Sequence, residues 1–166
     1  MRFLDRCKID NIGTFRNATI IFFYSFITGF PTETMDDVKA TINLMLTLVK
    51  ENSNARVSPL YNFIPYPGTE LFDVAVKHGY VPPDKLEGWS EYTWDKVKLP
   101  YRDKKIFESL YFTSAFLDKK FNEYAGRKLK TLAALYRPLA RFRTKNLFFR
   151  FMLEKKLWER LSARYG

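Results

Sequence analysis

Two stretches of the chain are apolar almost without interruption, and each is followed by a segment with helical spacing. Residues 18–28 are rich in aromatic and β-branched side chains and lack the alternation of a half-exposed strand, so they predict a strand buried on both faces. Residues 56–64 predict a second strand. Two strand–helix repeats are typical of parallel α/β construction, in which the crossover between the strands is right-handed.

The helical segments have recognisable ends. Thr34 is a suitable N-cap with Asp37 three residues later, and apolar residues then recur at helical spacing to about residue 50. Thr69 caps a shorter helix over residues 70–78, and Gly79 stands at the C′ position, where glycine is favoured. A turn rich in glycine and proline separates each strand from its helix: Gly29-Phe-Pro31 in the first unit and Pro65-Tyr-Pro-Gly68 in the second.

The rest of the chain has a different pattern. Residues 82–99 predict a mostly irregular segment anchored by three aromatic side chains, Trp89, Tyr92 and Trp94. From Asp103 the spacing is helical to the end, with breaks expected near Gly126, near Pro138 and at residues 144–146. We therefore expect an α/β portion over residues 1–95 and a helical, basic extension over residues 96–166.

The charge is distributed unevenly along the chain. Residues 126–166 hold twelve Lys and Arg against two Glu, whereas residues 1–125 hold sixteen charges of each sign, so the whole excess of +10 lies in the last quarter. A uniformly basic nucleic-acid domain would not have this distribution, and we expect no nucleic-acid partner. Large apolar residues alternate with the cations, which suits either an interfacial helix on anionic lipid or an amphipathic helix that packs on the domain.

The single cysteine, Cys7, limits the chemistry of the chain. Neither a disulfide framework nor a cysteine-based metal site can be built from one cysteine. The first residues lack the apolar segment of a secretory signal, and the longest apolar run, residues 18–30, is too short to span a bilayer. These features favour a cytoplasmic location, with peripheral attachment to an anionic membrane through residues 126–166 as a further expectation.

The predicted sheet is too small to be complete. Two parallel strands leave an edge and a face uncovered, and a stable sheet needs more strands or more covering elements. The missing strands would come from another chain or from a lost N-terminal portion, or they would be absent altogether, so we expect the sequence to be incomplete.

The two turns that follow the strands form the candidate site. Residues 25–34 are Ser-Phe-Ile-Thr-Gly-Phe-Pro-Thr-Glu-Thr, and residues 62–69 are Asn-Phe-Ile-Pro-Tyr-Pro-Gly-Thr. Ligands of parallel α/β folds bind at the carboxyl ends of strands, and a glycine lets a ligand approach the backbone closely. Each turn taken alone is explained more simply as a stiff connection from strand to helix.

Taken together, these two turns and their spacing resemble the radical S-adenosylmethionine (radical SAM) superfamily, most closely the branch whose longer members carry a cobalamin-binding domain. The resemblance covers about residues 1–95. It implies an α/β fold in which this chain holds the last two strand–helix units of a partial (β/α)6 TIM-like barrel, followed by a mainly α-helical C-terminal region.

The resemblance implies that five residues bind the adenine side of S-adenosylmethionine: Ser25, Ile27, Gly29, Asn62 and Ile64. The first three fall on the family pattern Gly-x-Ile-x-Gly-x-x-Glu, in which serine here replaces the first glycine and the acid stands one place late, at Glu33. The last two belong to the turn after the second strand, which would flank the adenine.

The resemblance also shows what is missing. In the family, a CxxxCxxC loop binds a 4Fe–4S cluster and a glycine-rich segment binds the methionine end of the cofactor. Neither is present, and Cys7 precedes the penultimate strand, where the family has no cluster ligand. We therefore expect a C-terminal fragment of a radical SAM enzyme that is inactive alone; its intact relatives use S-adenosylmethionine, the cluster and, in some members, cobalamin for radical chemistry or methyl transfer.

Two other functions stay open. The chain could be half of a split radical SAM enzyme, completed by a partner chain that carries the cluster half and docks on the free edge of the first strand. It could instead be a non-enzymatic module that binds a membrane surface or a partner through its helical tail. We assign no catalytic or metal-binding residue, because His78 and the acids at the helix starts are explained by helix capping.

Overall fold

The computed structural model describes residues 21–90, 97–118 and 127–165. Its elements are, in order, β1 (Phe22–Thr28), α1 (Met35–Glu51), β2 (Ala55–Asn62), α2 (Glu70–Lys77), α3 (Leu86–Ser90), α4 (Lys104–Ala115), α5 (Arg127–Asn146) and α6 (Leu153–Tyr165). The two strands pair in parallel, so the predicted mixed α/β class is confirmed. The predictions for residues 18–20, Tyr92, Trp94 and Gly126 lie outside the described residues.

The two strands form one sheet whose carboxyl ends lie side by side, with Thr28 next to Asn62. The ladder is irregular near Pro59, which has no N–H to donate. At this point the Ser58 hydroxyl accepts a hydrogen bond of 2.9 Å from the Phe26 N–H. The Ser58 hydroxyl thus provides the acceptor for the Phe26 N–H where the regular ladder does not, and strand pairing continues to Thr28 and Asn62.

α1 begins and ends where the sequence predicts. The Thr34 hydroxyl accepts from the Asp37 N–H at 3.2 Å, and the Asp37 carboxylate accepts from the Thr34 N–H at 2.9 Å, which makes a capping box. The helix ends before Asn52, its C-cap. Its buried residues are those of the apolar repeat, and they pack on one face of the sheet: Val38, Ile42, Met45 and Leu46.

α2 is capped at both ends as predicted. The Thr69 hydroxyl accepts from the Phe72 N–H at 3.2 Å. His78 is the C-cap residue, with its Nδ1 2.9 Å from the carbonyl oxygen of Val74. Gly79 follows with a φ of +90°, a conformation that suits glycine. The single histidine therefore contributes to the end of a helix, as its position in the sequence indicates.

α4 packs on the same face of the sheet as α1 and reaches the free edge of β2. Its buried apolar side chains join those of α1 and both strands in one core. The Leu60 N–H donates to Ser114 Oγ at 2.8 Å, and Arg56 Nε pairs with the Asp118 carboxylate at 2.8 Å. α4, which lies beyond the α/β portion predicted over residues 1–95, therefore shares a core with β1, β2 and α1.

The opposite face of β1 is not covered by the described residues. Phe23, Ser25 and Ile27 alternate with the buried positions, and Phe23 and Ile27 keep exposures of 65% and 51%. The prediction that this strand is buried on both faces is therefore wrong for the described chain. The physical reason is that α1 lies on one face only, while α4 reaches the other face only with Tyr111, beside Tyr61 of β2, so the apolar side chains of β1 remain exposed there.

α5 continues through Pro138, where the sequence predicted a break. An internal proline removes one backbone hydrogen bond and crowds the preceding turn. Here Pro138 is exposed, while Ala133 and Ala140 pack against Phe116, so tertiary contacts hold the helix together on both sides of the proline. The predicted break after it is confirmed, because α5 ends at Asn146 and α6 starts after a short loop.

Across the described ranges, none of the helices has the length and apolar character that crossing a bilayer requires.

Candidate ligand-binding site at the strand ends

An apolar cavity of about 500 Å³ opens at the carboxyl ends of β1 and β2. Its lining includes the aliphatic side chains Ile27, Ile64 and Leu71 and the aromatic side chains Phe30, Tyr61, Phe63, Tyr66 and Tyr111, together with the amide of Asn62. The parallel pairing explains this arrangement, because both strands deliver their following turns to the same edge of the sheet. The Phe63 N–H donates to the Thr28 carbonyl at 2.8 Å and holds the two turns together.

Three of the five predicted site residues meet in this cavity, namely Ile27, Asn62 and Ile64. Ser25 lies two residues before Ile27 on the exposed side of β1 and does not line the cavity. Gly29 does not line it either, because it is buried against the α4 side of the molecule. The structure therefore brings Asn62 and Ile64 together with Ile27, but not with Ser25 or Gly29.

Gly29 is fixed by packing around its backbone. It has a φ of +84°, and a Cβ at this position would lie 2.9 Å from Arg102 Nη1. Its N–H donates to the carboxylate of Glu33, which is half-buried. Burial raises the pKa of this carboxyl, although its hydrogen bonds from Gly29 and Phe30 act in the opposite direction. The Gly-Phe-Pro-Thr-Glu sequence thus closes on itself as a turn.

Asn62 belongs to the cavity lining, and within the described part of the chain its side chain has a buried amide oxygen without a hydrogen-bond partner. Asn62 is only 9% exposed, and its Oδ1 has no hydrogen-bond partner among the described residues. The same holds for Oγ1 of Thr28, its register partner. A buried acceptor without a partner costs about 1–3 kcal/mol, so a polar ligand edge that used the amide would be favoured.

Aromatic side chains form most of the cavity wall. Phe30 and Phe63 face each other with ring centroids 4.9 Å apart, and Tyr61 lies 6.0 Å from Tyr111 of α4. Burial raises the pKa of Tyr111, and Tyr61 adds to this shift, so its hydroxyl stays protonated at neutral pH. The cavity can therefore stack a flat, neutral ring between aromatic and aliphatic side chains.

Sequence reasoning missed several of these aromatic residues. Phe30 and Tyr66 stand inside the two turns and could have been found from their position beside Gly29 and Pro65. Tyr111 could not, because nothing near it in the sequence indicates that α4 reaches the strand ends. Residues far apart in the chain therefore complete the wall.

The described cavity offers binding groups rather than reactive ones. Its lining residues include no carboxylate, histidine or cysteine. In the described ranges, no group of three or more His, Cys, Asp or Glu side chains is placed to hold a metal ion. The arrangement can bind and orient an apolar ring with a polar edge.

Comparisons of the chain with protein-family models, with curated proteins and with solved structures give no match.

Proposed function

We propose that this chain supplies the adenine-binding side of a radical SAM barrel, with its two strands as the last two strands of that barrel. The observation that carries the proposal is the cavity that joins Ile27, Asn62 and Ile64 at the carboxyl ends of two parallel strands. These are residues for which the resemblance implies contact with adenine. Ligands of parallel α/β barrels bind at this end of the strands.

The residues present fit an adenosyl group. Ile27 and Ile64 offer apolar contact, the rings of Phe30 and Phe63 offer stacking surfaces, and Asn62 offers an amide with unused hydrogen-bonding capacity. Adenine is flat and apolar on its faces and polar on its edge, so each of its surfaces finds a complementary group.

The cluster does not fit this chain in the same way, because one cysteine cannot supply three cluster ligands. Electron transfer to S-adenosylmethionine, the chemistry that a 4Fe–4S cluster would supply, therefore needs cluster ligands from outside this chain. This chain's residues would bind the adenosine, orient it and exclude water from its aromatic side. We derive no further step of the reaction from them.

A second candidate, the split enzyme, is supported by a different observation. The face of β1 that carries Phe23 and Ile27 is exposed, and β1 is an edge strand within the described sheet. In a barrel, this face would point to the interior and this edge would pair with the preceding strand. A partner chain that carries the cluster ligands would complete both.

Direct binding tests the proposed adenosine site. The full chain is titrated with S-adenosylmethionine, with 5′-deoxyadenosine and with uridine, and binding is followed by calorimetry and by amide shifts in NMR spectra. We expect both adenosyl compounds to bind and uridine to bind more weakly, because a pyrimidine covers less of the aromatic wall. Equal binding of all three, or no binding, would contradict the proposal.

Two matched variants locate the site. Ile27→Asp places a charge at the cavity wall and should weaken adenosyl binding at least about tenfold, the equivalent of one lost apolar contact. Phe23→Asp makes the same change on the same exposed face of β1, outside the cavity, and should leave binding unchanged. If both variants bind like the unmodified chain, the cavity is not the site.

A further inference from the structure

The hairpin formed by α5, residues 147–152 and α6 carries an apolar surface that the adenosine site does not use. Four large side chains recur on α5 at spacings of three and four: Leu132, Leu135, Leu139 and Phe142. All four are exposed, and Leu135 is 72% exposed. This spacing places them on one side of the helix, which we call the hairpin stripe. Since Leu129, Ala133 and Ala140 of the same helix are buried, the stripe is the outer side of a helix that is already packed.

The loop after α5 extends the stripe. The ring of Phe148 meets that of Phe142 with centroids 6.2 Å apart, and Phe148 itself is exposed. Phe151 is 71% exposed, and the guanidinium of Arg150 lies 5.0 Å from its ring centroid. The exposed apolar surface therefore runs from the middle of α5 into the loop, where cations stand directly beside it.

The buried Arg143 holds this loop in shape. Its guanidinium donates to the carbonyl oxygens of Phe148 and Arg150 at 3.0 and 3.1 Å. Its Nε lies 2.7 Å from the carboxylate of Glu154, a close ion pair whose angle is not that of a hydrogen bond. Phe151 is held with a φ of +57°, which is unfavourable for a residue with a Cβ. The loop that presents the phenylalanine rings is thus built into the hairpin.

Exposed cations accompany the apolar surface. Helical spacing places four exposed cations of α5 on the side next to the stripe, about a third of a turn around the helix: Arg127, Lys130, Arg141 and Lys145. On α6, Lys156 and Arg160 are exposed at helical spacing beside Leu153 and Leu157, which are exposed as well. The hairpin has few acids to neutralise this charge, because residues 126–166 contain two Glu and one of them pairs with Arg143.

We propose that the hairpin stripe and its flanking cations bind the interface of a bilayer that contains anionic lipid. The leucine and phenylalanine side chains would lie among the lipid headgroups and upper acyl chains, and the lysine and arginine side chains would contact anionic headgroups. A nucleic acid would use the cations but not the large apolar side chains. A second copy would bring an equal positive charge against the first, because the excess of +10 lies in this region.

Vesicle co-sedimentation of the full chain tests the proposal. Vesicles of phosphatidylcholine alone are compared with vesicles of phosphatidylcholine and phosphatidylserine, at low and at high salt. We expect binding to the anionic vesicles that weakens as salt is added, because salt screens the attraction of the cations, and little binding to the neutral ones.

Two charge-reversal variants separate position from net charge. Replacing Lys130, Arg141 and Lys145 with Glu should weaken binding at least about a hundredfold, since each cation near an anionic surface contributes about a fivefold gain and the new carboxylates are repelled as well. The matched variant carries Glu at Lys50, Lys77 and Lys85, which are exposed outside the hairpin, and has the same net charge. This variant should lose far less of its binding to anionic vesicles. Equal losses in the two variants would overturn the proposal.

A second pair tests the stripe itself. Leu135→Glu should weaken binding at least about tenfold, whereas Leu86→Glu, at an 84% exposed position of α3, should not. Circular dichroism confirms that each variant is folded. As a measurement that does not depend on loss of binding, the emission of Phe151→Trp is compared with that of the unmodified chain, which has three Trp, and the added signal should shift to the blue on anionic vesicles only. The stripe could instead mediate dimerisation. If the chain forms a dimer that Leu135→Glu dissociates, and the chain does not bind vesicles, the proposal is overturned.

Discussion

Gly29 lies against the side chain of Arg102 at the end of β1, and glycine is favoured at this position for two separate reasons. Its φ of +84° is unfavourable for a residue with a Cβ. A Cβ would also come within 2.9 Å of Arg102 Nη1 and 3.1 Å of Arg102 Cδ. Gly68 provides a comparison, since it has a φ of +83° but a Cβ there would meet no side chain or backbone atom within 4 Å beyond its chain neighbours.

Alanine substitutions should separate the two reasons. Gly68→Ala should lower the free energy of unfolding by about 1–2 kcal/mol, the cost of the backbone conformation alone. Gly29→Ala should lower it by about 1 kcal/mol more, because Arg102 must leave its place over the Phe107 ring, 5.3 Å from its centroid. Urea unfolding of both variants measures these differences.

The control for this prediction is the Arg102→Ala background. There the extra cost of Gly29→Ala should disappear, because the side chain that a Cβ would meet is gone. If Gly29→Ala and Gly68→Ala cost the same in the unmodified chain, the contact with Arg102 carries no strain and our explanation of Gly29 is wrong.

Among the elements, α4 has the largest influence on the sheet beyond the strands themselves. Its Ser114 hydroxyl accepts the hydrogen bond of the Leu60 N–H at 2.8 Å, in a buried position. A further strand would normally provide such an acceptor at the edge of a sheet. One serine of a helix thus substitutes locally for a strand.

Ser114→Ala should lower the free energy of unfolding by about 1–3 kcal/mol, because the buried Leu60 N–H would lose its acceptor. Ser109→Ala is the matched control on the same helix. Its hydroxyl donates to the Lys105 carbonyl at 2.7 Å, within α4, so removing it leaves no strand donor unsatisfied. Thermal unfolding of both variants tests this difference, and equal destabilisation would show that the contact with Leu60 is not what matters.

For the whole molecule, the open side of the sheet is the dominant feature. Phe23 and Ile27 are more than half exposed on β1, and this strand has only β2 as a partner in the described sheet. Exposed apolar faces and unpaired strand edges both promote association with other chains. The described residues leave this side of the sheet in solvent.

We therefore expect the isolated chain to self-associate as its concentration rises, and Phe23→Lys to reduce this association. The lysine removes an apolar side chain from the open face and places a charge beside the strand edge. Val81→Lys is the matched control, since Val81 is 84% exposed and lies outside the sheet. Sedimentation velocity over a range of concentrations measures the effect; a chain that stays monomeric throughout would contradict the prediction.

How far the sequence predicted the fold depended on the distance between the interacting residues. The caps at Thr34 and Thr69 and the glycine at position 79 act within one turn of a helix, and all three were found. The predicted break at Pro138 was wrong, because packing on the other side of α5 outweighs the cost of a local helix breaker. Of the residues that line the cavity, the sequence predicted Ile27, Asn62 and Ile64, which lie in or beside the two turns.

The sequence by itself determined the order of β1, α1, β2 and α2, the capped ends of the two helices and the position of the two turns, because each follows from interactions within a few residues or from a repeating apolar pattern. The parallel pairing followed from the repeated order of strand and helix. Only the tertiary structure decided that one face of β1 is exposed, that Arg102 packs on Gly29 and that Tyr111 closes the cavity wall. Contacts of this kind join residues that are far apart in the chain. The hydrogen bond between Leu60 and Ser114, which are 54 positions apart, is another example. No local pattern encodes such pairs, because they depend on how the completed elements pack.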